Sequence, residues 1–198
     1  MEFNVYLSGE IHTDWRDQII AACQDLNLSF DGPVTDHAAS DDCGVQILGT
    51  ELNKFWHDRK GAQLNAIRTR TGIEQADVVV VRFGEKYKQW NAAFDAGYAA
   101  ALGKPLIVMH QDEHQHALKE VDAAALVVAQ TPQQVAAALR YVMTGVLPKL
   151  AYPLDRRRAI LPGQASQLFS GGTGAPYSQS LRFRTSAGAS CPASQIGA

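Results

Sequence analysis

The chain has 198 residues, 46% of them apolar and 19% charged, enough for one domain with a sizeable core and too apolar for a mostly disordered protein. A formal net charge of −2 gives no global attraction to nucleic acid or to an anionic membrane surface, so neither partner is expected. No apolar run reaches about 18 residues, and MEFNVYLSGE lacks the basic and apolar segments of a secretory signal; with Cys23, Cys43 and Cys191 forming no CxxC pair, reduced thiols and a cytoplasmic location are expected.

Charge divides the chain. Residues 1–147 carry 12 Lys and Arg against 19 Asp and Glu, whereas residues 148–198 carry 6 against 1. The second segment is rich in Gly, Ser, Pro, Ala and Gln and loses hydrophobic periodicity. Such a composition cannot offset its ordering entropy, so a folded domain over 1–147 and a disordered basic tail over 148–198, native or a non-native extension, are expected.

In chain order, FNVYLSG reads as a short strand. EIHTDWRDQIIAACQDL follows as a helix, with Trp15, Ile19, Ala22 and Leu26 at helical spacing and Thr13 or Asp14 as its cap. NLSFDGP is a second strand ending in a turn, and residues 31 to about 53 read as a long polar connection. HDRKGAQLNAIRTRTGIEQA is a helix, and DVVVVRF is a strand continuous enough to be covered on both faces. A helix around Asp95, the strands KPLIVMH and AALVVAQ, and the helix TPQQVAAALRYVMTG complete the pattern; the last has Thr131 as N-cap, Pro132 at its first position and Gly145 as its stop. Five strands alternating with helices predict an α/β three-layer sandwich around a five-stranded parallel sheet, Rossmann- or flavodoxin-like, with ligands beyond the carboxyl ends of the strands.

The residues after each strand are therefore the candidates. After the first stand Gly9, Glu10, His12 and Arg16, in either an ordinary turn or a site; GxGxxG and GxxxxGK[ST] are both absent. After the second, Asp36, His37, Asp41 and Asp42 form either a solvated acidic loop or a divalent-cation site, and after the fourth His110, His114 and His116 read as a polar surface loop with a metal site as the alternative. No metal or other cofactor is expected. After the third, Glu85, Lys86, Tyr87, Lys88, Gln89, Trp90 and Asn91 have the composition that grips a flat ring or a sugar. Trp90, Phe94 and Ala101 form a stripe at helical spacing, which predicts core packing for Trp90. Asp95, with Asn91 and Tyr98 as helical neighbours, lies about one turn into the helix, where the macrodipole favours a carboxylate. It is either an exposed helix acid or a nucleophile for a sugar carbon.

VYLSGEI, QADVVVVRFGEKYKQWN and AFDAGYAAALGKPLI together resemble the nucleoside 2-deoxyribosyltransferase-like superfamily and, within it, the YtoQ branch, over nearly all of residues 1–145. The resemblance implies cleavage of an N-glycosidic bond through a ribosyl-enzyme ester, with Asp95 in the nucleophile position, Asp77 as the acid before the third strand and Tyr6 as the strand-one tyrosine. Two departures stand out: Asp95 is one methylene shorter than the family's Glu, and Gln89, Trp90 and Asn91 replace its D-x-G-T motif. On this reading Asp77 or Glu10 assists proton transfer. Tyr6, Gly9, His12, Arg16, Glu85, Lys86, Gln89, Trp90, Asn91 and Tyr98 contact a small-molecule nucleoside or nucleotide, and the chain forms a homodimer or larger homo-oligomer. The alternatives are a non-catalytic nucleotide- or ADP-ribose-sensing module and, third, a metal-dependent hydrolase built on Asp36, His37, Asp41 and Asp42.

Overall fold

The computed structural model describes residues 3–86 and 89–148, the side chain of His37 excepted. Tyr87, Lys88, Cys191 and the expected tail from Lys149 onward lie outside the described residues. The elements are β1 (Phe3–Gly9), α1 (Trp15–Ala22), β2 (Leu28–Asp31), α2 (His37–Leu48), α3 (Lys54–Gln75), β3 (Val78–Arg82), α4 (Trp90–Ala101), β4 (Leu106–Met109), a 3-10 turn (Asp112–His114), α5 (Lys119–Ala124), β5 (Val127–Ala129) and α6 (Pro132–Thr144). The strands form one parallel sheet in the order β2-β1-β3-β4-β5. From β1 the chain goes to β2 on one side and later returns to β3 on the other, which makes the β1/β3 junction the switch point.

Side-chain alternation along the strands fills both faces. Val5, Leu7, Val78, Val80, Ile107 and Met109 pack on one face with Trp15 and Ile19 of α1 and Val135 and Leu139 of α6. Tyr6, Val79, Val81, Leu106 and Val108 pack on the other with Ile73 of α3 and the alanines of α4. Expectation and structure agree at α6, where Thr131 and Gln134 form a reciprocal capping box and Gly145 closes the helix with φ 68°. At α1 Asp14 occupies the cap position but makes no side-chain cap bond; its carboxylate instead accepts from the Gln18 side chain at 2.9 Å.

The expected polar connection over 31 to about 53 is corrected: residues His37–Leu48 form α2. Asp36 caps it, its side chain accepting from the Ala39 N–H at 2.7 Å. The helix has no apolar stripe because it meets α3 through glycines. A Cβ on Gly44 would lie 2.2 Å from the Gly61 nitrogen, and one on Gly61 would lie 2.7 Å from the Asp41 carbonyl oxygen. The Asn65 amide donates to the Ser40 carbonyl and hydroxyl oxygens, both at 3.0 Å, and fixes the crossing. Close backbone approach thus takes the place of hydrophobic periodicity.

This contact yields a stability prediction. Gly44→Ala forces α2 and α3 apart and costs about 1–3 kcal/mol, read as a lower thermal midpoint. Gly97→Ala in α4, where a Cβ meets nothing within 4 Å, leaves stability unchanged or raises it by about 0.5–1 kcal/mol. Equal midpoints for Gly44→Ala and wild type would contradict the crossing described.

Candidate functional site

The switch point is shaped by the end of β1. Gly9 has φ 101°, and a Cβ there would lie 2.1 Å from the Arg82 carbonyl oxygen, so only glycine allows β1 and β3 to end this close together. The following turn is held from beneath. The Trp15 indole donates to the Glu10 carbonyl oxygen at 2.8 Å. Arg16 donates to the carbonyl oxygens of Leu7, Glu10 and Gly9 at 2.9, 2.6 and 3.1 Å while stacking on Trp15. Burial lowers the Arg16 pKa to about 10, with Glu10 opposing the shift.

Above this turn opens a cavity of about 820 Å³. One wall is Ser8, Gly9, Glu10 and His12; the second is the face of α3 that carries Lys54, Asp58, Asn65 and Thr69; the third is Gln89–Ala92, Phe94 and Asp95. α4 approaches the sheet through small residues, with Ala92, Ala96 and Ala99 buried. That turns Trp90 and Phe94 outward, at 72% and 60% exposure, and Ala101 is exposed as well. The expected Trp90/Phe94/Ala101 core stripe is therefore corrected. The sheet-facing stripe is alanine because the helix lies close to β3, and the two aromatics border the cavity. Gln89 fixes the loop before the helix, accepting from the Gly84 N–H at 2.7 Å and donating to the Lys86 carbonyl at 2.9 Å.

Asp95 is the sixth residue of α4 and partly buried. The Ser8 hydroxyl, 1% exposed as a residue, donates to its Oδ2 at 2.5 Å. Burial raises the Asp95 pKa, and the Ser8 hydrogen bond opposes it. The expected help from the helix macrodipole fades beyond the first turn, and desolvation prevails.

The remaining predicted residues divide plainly. Asp95, Gly9, Glu10, His12, Gln89, Trp90 and Asn91 come together around the cavity. Asp77 does not. It lies exposed before β3, its carboxylate accepting from the Asn4 N–H at 2.8 Å, about 13 Å along β1 from Ser8. Tyr6 packs in the core beneath Gly72, with its hydroxyl buried and without a well-formed hydrogen bond. Its pKa is raised by burial first and by Asp95 second, while nearby Thr69 pulls it down. Arg16 is committed to the turn carbonyls, and Tyr98 donates to the Glu74 carboxylate, tying α4 to α3. Glu85 and Lys86 are exposed and stand outside the cavity lining. Glu10 is 5% exposed, and both its oxygens are engaged: one accepts from the His12 N–H, the other from the Thr13 hydroxyl at 2.6 Å, with Arg82 at 3.6 Å.

The candidate metal ligands whose side chains are described lie apart, with Asp41 on the cavity wall. Asp36 caps α2, and Asp42 pairs with His57 at 3.4 Å. His110, expected on a surface loop, is buried, with Nδ1 donating to the Gln111 carbonyl at 2.8 Å and Nε2 facing Asp122 at 3.0 Å. Among the described residues no three His, Cys, Asp or Glu side chains converge as metal ligands. Cys23 and Cys43 are free thiols.

Two groups escaped the sequence reading. Ser8 was legible in principle: it lies two residues beyond Tyr6 on the same strand face and next to the glycine that ends β1. The α3 wall carried the i, i+4 signal of Lys54, Asp58 and Ala62, continued by Asn65 and Thr69.

The raised Asp95 pKa has a consequence with a fixed sign. A carboxyl group that binds its proton more tightly in the folded chain stabilises the fold fully below its unfolded pKa, and loses that contribution as pH rises through the folded value. Asp95→Asn therefore has a higher thermal midpoint than wild type at pH about 7, and the difference shrinks towards pH about 4. A midpoint at neutral pH equal to or below wild type would contradict the burial cost.

Residues 6–143 match the family described as nucleoside 2-deoxyribosyltransferase YtoQ. The chain is 44% identical over 144 residues to the uncharacterised protein YtoQ of Bacillus subtilis, an alignment spanning 72% of this chain and 97% of that protein. Among solved structures it is similar to the 2-deoxyribosyltransferase of Bacillus psychrosaccharolyticus, at 14% identity and TM-score 0.42 over 67% of this chain and 90% of that one. It is also similar to the CMP N-glycosidase BcmB of Clostridium botulinum, at 10% identity and TM-score 0.37 over 69% and 98%. The profile match and the Bacillus subtilis relative, each covering most of the folded domain, make this chain a member of the YtoQ family.

Proposed function

We propose that the protein cleaves the N-glycosidic bond of a nucleoside or nucleotide and passes the ribosyl or deoxyribosyl group to water or to a second base. The observation that carries this reading is the Asp95 carboxylate, hydrogen-bonded by Ser8 at the edge of a cavity of about 820 Å³. Trp90 offers a flat face for a base, and Asn91 offers an amide for a sugar or base edge. Ionised Asp95 attacks C1′, the C–N bond breaks, and the resulting ester is opened by the acceptor. The acids expected to assist proton transfer are engaged elsewhere, Asp77 at Asn4 and Glu10 within its own turn, so the departing base takes its proton from solvent or from another acid on the cavity wall, where Asp58 stands.

Assembly belongs to the same proposal. Ile47, Leu48, Leu52, Phe55 and Trp56 are exposed on and between α2 and α3, and Phe55 meets Trp56 edge-on with ring centroids 5.0 Å apart. Apolar side chains gathered in this way support association into a homodimer or larger homo-oligomer.

The test is chromatographic. Wild-type protein offered a panel of nucleosides and nucleotides releases free base from at least one of them, and Asp95→Ala, folded by circular dichroism, is slower by about a thousandfold or more. No release by wild type across the panel would remove the enzymatic reading. Thermal stabilisation by a nucleotide or ADP-ribose without turnover would establish the sensing module instead, a reading favoured by the shortened carboxylate at position 95.

A further inference from the structure

The carboxylate of Asp95 has a single hydrogen-bond partner among the described residues, and it is neither Tyr6 nor Glu10. Ser8 and Tyr6 share one face of β1, about 7 Å apart. Ser8 stands at the cavity wall, whereas Tyr6 is beneath Gly72 in the core. Ser8 is 1% exposed, so its hydroxyl has no bulk water to satisfy it and is committed to the Asp95 Oδ2. Asp95 Oδ1 accepts no hydrogen bond from the described residues, and Asp95 lines the cavity. An aspartate carboxylate lies nearer its own helix than a glutamate carboxylate would, and the small buried hydroxyl on the adjoining strand meets it there.

We propose that Ser8 is the positioning residue for Asp95: its buried hydroxyl clamps Oδ2, fixes the carboxylate plane and leaves Oδ1 for the ligand. Its kinetic consequence rests on the reading of Asp95 as nucleophile; the contact itself does not. The clamp acts against desolvation, because a donor to the ionised form favours that form. It also restricts the rotation of a side chain whose position within about 1 Å governs reaction at a sugar carbon. Position and ionisation are therefore set by one hydroxyl.

The variants are Ser8→Ala, which removes the donor, and Ser8→Cys, which keeps its place with a weaker one. The direct readout is the Asp95 carboxyl signal in a carbon-13 NMR pH titration of the full chain, assigned by its absence in Asp95→Asn. The midpoint rises in Ser8→Ala and rises less in Ser8→Cys. In base release, kcat falls about 10- to 100-fold in Ser8→Ala. KM changes by less than about threefold, and the acid limb of the pH–rate profile moves up with the NMR midpoint. A folded Ser8→Ala whose Asp95 titrates as in wild type would overturn the proposal. Should Ser8→Ala fail to fold, the same comparison of Ser8→Cys with wild type decides it, an unmoved midpoint again overturning it. Wild type that releases no base would remove the nucleophile reading alone, and the NMR titration still decides the clamp.

Discussion

The cavity depends on how closely β1 and β3 end against each other. At Gly9 the two backbones approach so far that a single methyl group would collide with the Arg82 carbonyl, and the Glu10 N–H donates to that same oxygen at 3.1 Å. This contact sets where β1 turns away and therefore where Ser8 stands. It also gives Arg16 its task, since a guanidinium with three donors in use can gather three carbonyls left by the turn. On the far side Gln89 draws the loop after β3 towards Gly84 and so orients the start of α4. Asp95 and Ser8 meet because both walls are anchored to one junction.

The same arrangement costs stability. Asp95 is held where water is scarce, so its charged form is disfavoured relative to the unfolded chain, and one serine hydroxyl offsets part of that penalty. A conflict between burial and charge of this kind is found more often at functional sites than at ordinary surface carboxylates. Asp25 is an ordinary surface carboxylate by contrast: it is solvent-exposed, its pKa is lowered by hydrogen bonds from Arg140, and it ties the turn after α1 to α6.

The sheet was readable because β3, β4 and β5 are built on continuous apolar runs and most of its connections carry ordinary helix signals. α2 was not, because its partner surface is a glycine contact rather than an apolar stripe, and polarity alone made it look like a loop. Trp90 and Phe94 misled for the opposite reason. Their spacing was helical, but a helix pressed against a sheet can satisfy itself with alanine and send its large side chains outward. Asp95 stood out as a lone carboxylate in the helix after the third strand, and the resemblance placed it at the nucleophile position, whereas its partner Ser8 needed the three-dimensional register of β1 beneath α4. Asp77 shows the limit of carrying roles by position: its place at the start of β3 is also a place where a carboxylate caps the Asn4 N–H, far from the cavity.

The proposed reaction requires Asp95 to reach C1′ of the sugar. Its most direct measurement is mass spectrometry of protein quenched during reaction with a 2′-fluoro-substituted nucleoside, whose electron-poor sugar slows opening of any ester formed. With Asp95 as nucleophile, the mass of one fluorinated sugar residue is added to the peptide that contains Asp95, and none is added in Asp95→Ala. Adduct on another carboxylate, or turnover of the same compound with Asp95 replaced, would contradict it.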